Sequence, residues 1–228
     1  FSSIDKIILY GASMIKPALK AGIPKDKMKI IPTGINPYIK KKDKDIRVEF
    51  NIHKDEKIIL FAGLLVNDRK GVDIIIKTIH QLRECKIKLI VLGDGGKKKA
   101  YENLVKKYGL ENKVIFTGFR RDIHNFYHEA DLFFLPSRGE GLAGVIMESM
   151  LYKVPVITSD IIGTKDLIRD NVNGFLCKTE NIMSYKEKIL ILLYNKELRK
   201  RFTEYSYKKI ITNFNWDVII DKYTELYV

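Results

Sequence analysis

Two glutamates, Glu140 and Glu148, stand with seven residues between them in the stretch Pro136-Ser137-Arg138-Gly139-Glu140-Gly141-Leu142-Ala143-Gly144-Val145-Ile146-Met147-Glu148. An apolar run over 132–135 leads into this glycine-bearing loop, and a helix is expected to begin near Leu142. Free N–H groups at a helix start form an anion site, reinforced by the helix dipole. A carboxylate beside such a start suits sugar or ribose hydroxyls, which donate hydrogen bonds to it, and does not suit phosphate. The spacing puts Glu140 at the loop's end and Glu148 about two turns into the helix. Spacing alone equally allows a dipole partner at Glu140 and a solvated side chain at Glu148.

Other chemistries fail on their spacing. Gly93-Asp94-Gly95-Gly96 follows a strand-like run, but the third glycine of a dinucleotide fingerprint would fall at Lys98, and no acidic residue stands about 20 positions on. No Gly-Lys is followed by Ser or Thr, which removes a P-loop. His124 and His128 lie four apart, as zinc ligands can, yet Asn125 replaces the catalytic Glu of H-E-x-x-H and no third ligand is in view, so both are expected to be surface histidines. Ser137 sits outside a G-x-S-x-G elbow and has no evident His partner, which excludes a serine hydrolase. Cys85 and Cys177 are isolated, giving neither a disulfide framework nor a C-x-x-C pair.

The elements that must position these residues follow from apolar patterning. Short runs at 4–10, 28–32, 57–62, 87–92, 114–117, 132–135, 154–158 and 174–177 alternate with amphipathic segments such as 72–84 and 100–108. Most of the later runs are near-continuous Ile, Val, Leu and Phe, the mark of strands buried on both faces in a parallel sheet. Strand and helix alternating in this way specify an α/β fold, a Rossmann-like doubly wound parallel sheet. After Cys177 the strands stop, and 181–194, 196–212 and 216–227 read as C-terminal helices, the last capped by Asn215. Ligands of such sheets bind outside the carboxyl ends of the strands. The loops to inspect therefore begin at Gly34, Gly63, Gly93, Gly118 and Ser137. All carry glycine, and two add cationic side chains, which suits a phosphate-bearing ligand. The segment 40–44 reads as a solvated charged loop.

A chain of 228 residues suffices for one good-sized domain. The longest apolar run without charge, 58–66, is far short of the roughly 20 residues that span a bilayer. Asp5 and Lys6 interrupt the first apolar stretch, so it does not read as a signal peptide. The formal net charge of +13 favours anionic partners. Its lysines are scattered, no aromatic-and-basic stripe accompanies them, and a nucleic-acid partner is not expected. Unpaired cysteines point to a reducing, cytoplasmic setting. The chain opens on Phe1 inside a strand-like stretch, which reads as an excerpt of something longer.

In this setting the glutamate pair resembles the paired-glutamate motif of retaining GT-B glycosyltransferases, family 4. Ile30-Ile31-Pro32-Thr33-Gly34-Ile35-Asn36 resembles the family's "IPNGID" segment, and Phe61-Ala62-Gly63-Leu64-Leu65 with Arg69-Lys70-Gly71 resembles its "GRL…KG" loop. Val91-Leu92-Gly93-Asp94-Gly95, Phe116-Thr117-Gly118-Phe119, Val154-Pro155-Val156-Ile157 and Phe214-Asn215-Trp216 are similar to further family segments, in order and spacing. The resemblance covers essentially the whole chain.

That resemblance implies the C-terminal, donor-binding domain of a GT-B fold over residues 1–228, with roughly 1–36 including the interdomain connection, 181–228 as C-terminal helices, and the N-terminal acceptor domain outside this chain. It implies transfer of a hexose from a nucleotide-diphosphate sugar with retention. Lys70 would bind the diphosphate, Glu148 the ribose hydroxyls, and Glu140 the donor sugar at the reacting carbon, as the catalytic residue. Gly141, Leu142, Ala143 and Gly144, at the helix start, would meet phosphate and sugar. Gly118 and Phe119 would flank the base, and Gly63, Arg69 and Ser137 would complete the substrate site. No metal or other cofactor is implied. A lipid-linked acceptor, with peripheral association at the inner face of the membrane, is compatible with the basic charge.

Two positions depart from the family pattern. Leu64 stands where the family usually has Arg, leaving Arg69 or Arg138 to supply the second phosphate cation. Ala143 stands in the family's "EGFG", adding a methyl group close to the expected sugar. The alternative these departures raise is a non-catalytic nucleotide-sugar-binding or regulatory subunit. A sugar-nucleotide epimerase of the same fold is disfavoured by the glutamate pair together with the "KG" segment.

Overall fold

The computed structural model describes residues 4–226. Its centre is a six-stranded, all-parallel sheet in the order β5-β4-β3-β6-β7-β8, formed by β3 (Lys57–Ala62), β4 (Ile87–Leu92), β5 (Val114–Gly118), β6 (Leu132–Leu135), β7 (Val156–Ser159) and β8 (Phe175–Cys177). The runs at 57–62, 87–92 and 132–135 match their strands residue for residue. The reason is burial: Leu132, Phe133, Phe134 and Leu135 are all 0% exposed, as a strand covered by helices on both faces requires. Each such side chain contributes about 1.5–3 kcal/mol on leaving water.

The chain leaves β3 in one direction, through α3 (Val72–Gln81) to β4, and leaves β6 in the other, through α6 (Gly144–Leu151) to β7. Right-handed crossovers in opposite directions place these helices on opposite faces. On one face α3 packs against α4 (Lys98–Lys107) and α8 (Ile182–Tyr194). On the other, α6 packs against α9 (Lys196–Asn213), and α5 (Ile123–Glu129) packs on β3 and on the short α2 (Ile46–Glu49). The sheet reverses its winding between β3 and β6, which leaves a crevice at their carboxyl ends.

The first two runs behave differently from the others. β1 (Ile7–Leu9) and β2 (Met28–Ile30) pair in parallel with each other and do not join the main sheet. A run of apolar residues signals a strand but does not name its partner. A short helix, α1 (Ile15–Lys20), lies between β1 and β2. At the other end α10 (Trp216–Thr224) starts at Asn215, whose side chain accepts from the Asp217 N–H, as expected of a cap. Tyr227, assigned to the same helix by its spacing, lies outside the described residues.

Four local expectations are corrected. α6 begins at Gly144, two residues later than expected, so Glu148 sits little more than one turn into it. His124 is buried, 5% exposed, with its Nε2 3.3 Å from Asp43 Oδ1, whereas His128 is a surface residue as expected. Gly34 does not face a ligand site: a Cβ there would lie 2.5 Å from the Trp216 ring, so the glycine admits the start of α10. The 40–44 loop is not freely solvated. Its backbone is tied to Asn125, Tyr152 and His128, and Lys42 and Lys44 pair with Glu129 and Asp122.

Candidate functional site

Three loops meet at the crevice and are stitched together by backbone. The loop after β3 donates its Leu65 N–H to Asp94 O, in the loop after β4, at 2.9 Å, and the Gly93 N–H reaches Gly118 O at 2.9 Å. The loop after β6 donates its Arg138 N–H to Arg69 O at 2.7 Å, while Arg69 Nε donates to Gly139 O at 3.0 Å. Glycine makes these approaches possible. At Gly71, with φ +72°, a Cβ would fall 2.1 Å from Pro136 O, so no side chain fits between the two loops.

This geometry brings Lys70 and Glu140 together from opposite sides of the crevice. Lys70 Nζ donates to Glu140 Oε1 at 2.8 Å and Oε2 at 2.9 Å, and the Ser137 hydroxyl donates to Oε1 at 2.6 Å. The Glu140 side chain is 4% exposed and that of Lys70 23%. The carboxylate is therefore a desolvated anion held by charge-assisted bonds, and the ammonium remains reachable from the cleft. The aliphatic stem of Lys70 passes over Gly63, where a Cβ would lie 3.7 Å from Lys70 Cδ. Ser137, at 0% exposure, stands behind Glu140 and orients it, so it does not itself face the cleft.

Glu148 has a separate setting. The Tyr127 hydroxyl donates to its Oε2 at 2.9 Å. Burial pushes the Glu148 carboxyl up from its ordinary range, and the Tyr127 hydrogen bond opposes that shift. Tyr127 itself is held far above the usual phenol range by burial, then by the neighbouring Glu148 charge. Glu148 thus presents a constrained acceptor beside the helix start. No side chain caps α6. Its first N–H groups lack intrahelical partners, and the loop beside them is open, since a Cβ at Gly139, Gly141 or Gly144 would meet nothing within 4 Å.

The two departures read differently in three dimensions. Ala143 is 3% exposed and packs into the core, so its methyl group does not project into the open cleft as expected. Leu64 is 62% exposed and lines a cavity of about 290 Å³ with Val66, Asn67, Arg69 and Lys70. Arg69 lies at this cavity and has no carboxylate partner among the described residues. Arg138 is committed elsewhere: it bridges Asp73 at 2.8 and 2.9 Å and Glu180 at 2.6 Å, which removes it as the replacement cation. Phe119 is 72% exposed beside Gly118, whose φ is +71°. Leu142 is half-buried. Tyr127 had no sequence signal, because 21 positions separate it from Glu148. Among the described residues no group of three or more His, Cys, Asp or Glu side chains could hold a metal ion.

A doubly wound parallel sheet with helices on both faces matches the fold of GT-B glycosyltransferase structures. The family model for Glycosyl transferases group 1 matches residues 42–209, and the chain belongs to that family. It is 33% identical over 214 residues to an uncharacterized glycosyltransferase, MJ1178, of Methanocaldococcus jannaschii, covering 93% of this chain and 56% of that protein. It is 31% identical over 207 residues to the O-antigen biosynthesis glycosyltransferase WclY of Escherichia coli, covering 90% of this chain and 56% of that one. The fold superposes on Anabaena Alr3699/HepE, solved in complex with UDP and glucose, with a TM-score of 0.88 at 23% identity, covering 97% of this chain and 62% of that one. The chain spans about half the length of the curated relatives it matches. No helix among the described residues is long and apolar enough to cross a membrane.

Proposed function

We propose that this chain is the donor-binding domain of a retaining, family 4 glycosyltransferase that moves a hexose from a nucleotide-diphosphate sugar. The observation that supports this reading is the Lys70–Glu140 pair across the switch point, with Glu148 one turn into the uncapped helix beside it. Lys70 and the first N–H groups of α6 bind the diphosphate, with Arg69 as the second cation. Glu148 accepts from the ribose hydroxyls, and Glu140 faces the sugar. Gly118 and Phe119 flank the base.

In the reaction, the bond from the anomeric carbon to the diphosphate oxygen breaks, the acceptor's hydroxyl oxygen takes its place on the same face, and the hydroxyl proton passes to the leaving diphosphate. Negative charge develops on the leaving diphosphate, where the Lys70 ammonium and the helix-end N–H groups stabilise it without reorganising. The chemistry needs no metal in this scheme. The acceptor is bound by an N-terminal domain outside this chain, and a lipid-linked acceptor at the inner face of the membrane suits the basic surface.

Ligand-observed NMR with UDP-, GDP- and ADP-sugars tests the reading. Binding of at least one donor, lost in Glu148→Ala and in Lys70→Ala, is the expected result. Donor binding that survives both substitutions would overturn it.

A further inference from the structure

The loop that follows β7 backs the glutamate loop and is itself tied to the N-terminal part of the chain. Gly163 is buried at φ +86°, and a Cβ on it would fall 1.7 Å from Gly141 O and 3.0 Å from Glu140 O. Its N–H donates to the Ser13 hydroxyl at 3.1 Å, across 150 positions. That hydroxyl donates in turn to Asp166 Oδ2, and the Ser13 N–H donates to Asp166 Oδ1 at 3.0 Å. One carboxylate thus holds both hydrogen-bond donors of a serine that lies just ahead of α1.

These contacts leave no slack. Gly11 is buried, and a Cβ there would lie 2.0 Å from Asp166 Oδ2, so only glycine admits the carboxylate. Asp166 stands in the short α7 (Thr164–Leu167), which is fixed on its other side. Lys209 Nζ, from α9, donates to Asp166 O at 2.7 Å and to Leu167 O at 2.9 Å, and Thr164 Oγ1 donates to Ser159 O at 2.6 Å. Close-packed contacts of this kind transmit a displacement instead of absorbing it. The glutamate loop is held on one flank by Arg69 Nε on Gly139 O. Gly163 supports its other flank, at the carbonyls of Glu140 and Gly141.

We propose that Ser13 and Asp166 are positioning residues for Glu140: the Asp166–Ser13–Gly163 relay sets where the glutamate loop rests and so aims the Glu140 side chain at the donor sugar. The inference rests on the proposed place of Glu140 at that sugar, and neither Ser13 nor Asp166 touches the ligand. Without the Ser13 hydroxyl, the Gly163 N–H and one Asp166 oxygen lose their partner, and the loop after β7 settles away from Gly141. The loss falls on the part of the donor that Glu140 meets. Diphosphate and ribose keep their contacts, because Lys70 stands on the loop after β3 and Glu148 is held by Tyr127.

The test is calorimetric titration of the full-length protein with UDP-glucose, UDP-N-acetylglucosamine, GDP-mannose and ADP-glucose, and with free UDP, GDP and ADP. It is repeated on Ser13→Ala, Ser13→Thr, Asp166→Asn, Glu140→Gln and the double variant Ser13→Ala/Glu140→Gln. Ser13→Ala and Asp166→Asn are expected to weaken the nucleotide sugar about tenfold and its free diphosphate by no more than about threefold, a split that a general loosening of the fold does not give. Ser13→Thr keeps the hydroxyl and restores the sugar affinity. In the Glu140→Gln protein, Ser13→Ala changes that affinity by less than about twofold, because residues that act through one another are not additive. This inference is overturned, with the donor-site reading left standing, by any of three results: sugar affinity unmoved by Ser13→Ala, sugar and free diphosphate weakened alike, or a full Ser13→Ala effect in the Glu140→Gln protein. No binding of any nucleotide sugar by the parent, or binding indifferent to Lys70→Ala and Glu148→Ala, overturns both.

Discussion

Replacing Lys70 with Met should destabilise the protein well beyond what loss of a surface charge would do. Glu140 is 4% exposed on its side chain and holds three hydrogen bonds, two of them from Lys70. Without the ammonium, the buried carboxylate keeps only Ser137. Removing one partner of a buried pair costs about 3–5 kcal/mol, and the partial exposure of Lys70 sets the expectation at the lower end, about 3 kcal/mol. For a chain of this length, that is a fall in Tm of about 6–12 °C. Glu140→Gln alone should cost about 1 kcal/mol, because the freed ammonium can turn to solvent while the amide still accepts from Ser137. The double variant should be more stable than Lys70→Met, giving a coupling energy of about 2 kcal/mol. Scanning calorimetry on the four proteins measures it. A Tm for Lys70→Met within 2 °C of the parent (~0.5–1 kcal/mol), or additive single effects, would refute the claim that this pair is a coupled, desolvated unit.

Three further outcomes follow from the same geometry. Burial raises the folded pKa of Glu148 above its ordinary value of 4.5, so the stability linked to this group is full below that pH and is lost as pH rises through the folded value. Glu148→Gln should therefore resist urea better than the parent at about pH 7 and equally at about pH 4. Donor affinity should show the opposite trend, falling on acidification as the carboxylate loses its acceptor charge. Gly163→Ala should cost about 3 kcal/mol and depress transfer, because φ is +86° and the new Cβ would fall 1.7 Å from Gly141 O, forcing the glutamate loop to move; a variant with parental Tm and rate would count against that coupling. Arg69→Ala should weaken donor binding with little effect on Tm, and Arg138→Ala should lower Tm while leaving donor affinity unchanged. Titration and melting of the two variants separate these roles.

The sheet was legible because a strand buried on both faces has no polar positions, so 57–62, 87–92 and 132–135 announce themselves as unbroken apolar runs. β1 and β2 were legible as strands but not as a separate sheet, since pairing depends on contacts far along the chain. The candidate site was legible in its local part: Glu140 and Glu148 share one loop and helix, and their neighbours Gly139, Gly141 and Gly144 have open space beside them. What the sequence hid lies in long-range partners. Lys70 meets Glu140 across 70 positions, Tyr127 holds Glu148 from another helix, and Arg138 looks like a candidate phosphate ligand until Asp73 and Glu180 close on it. His124 likewise reads as a surface residue because its burial is made by the strap over α5, not by its own helix.

A co-crystal structure of the full-length protein with its nucleotide-sugar donor tests the central claim most directly. The account predicts diphosphate oxygens within hydrogen-bond distance of Lys70 Nζ and the first N–H groups of α6, with ribose hydroxyls on Glu148. A donor seated away from the β3–β6 crevice, with Lys70 still closed on Glu140 and Glu148 untouched, would contradict it.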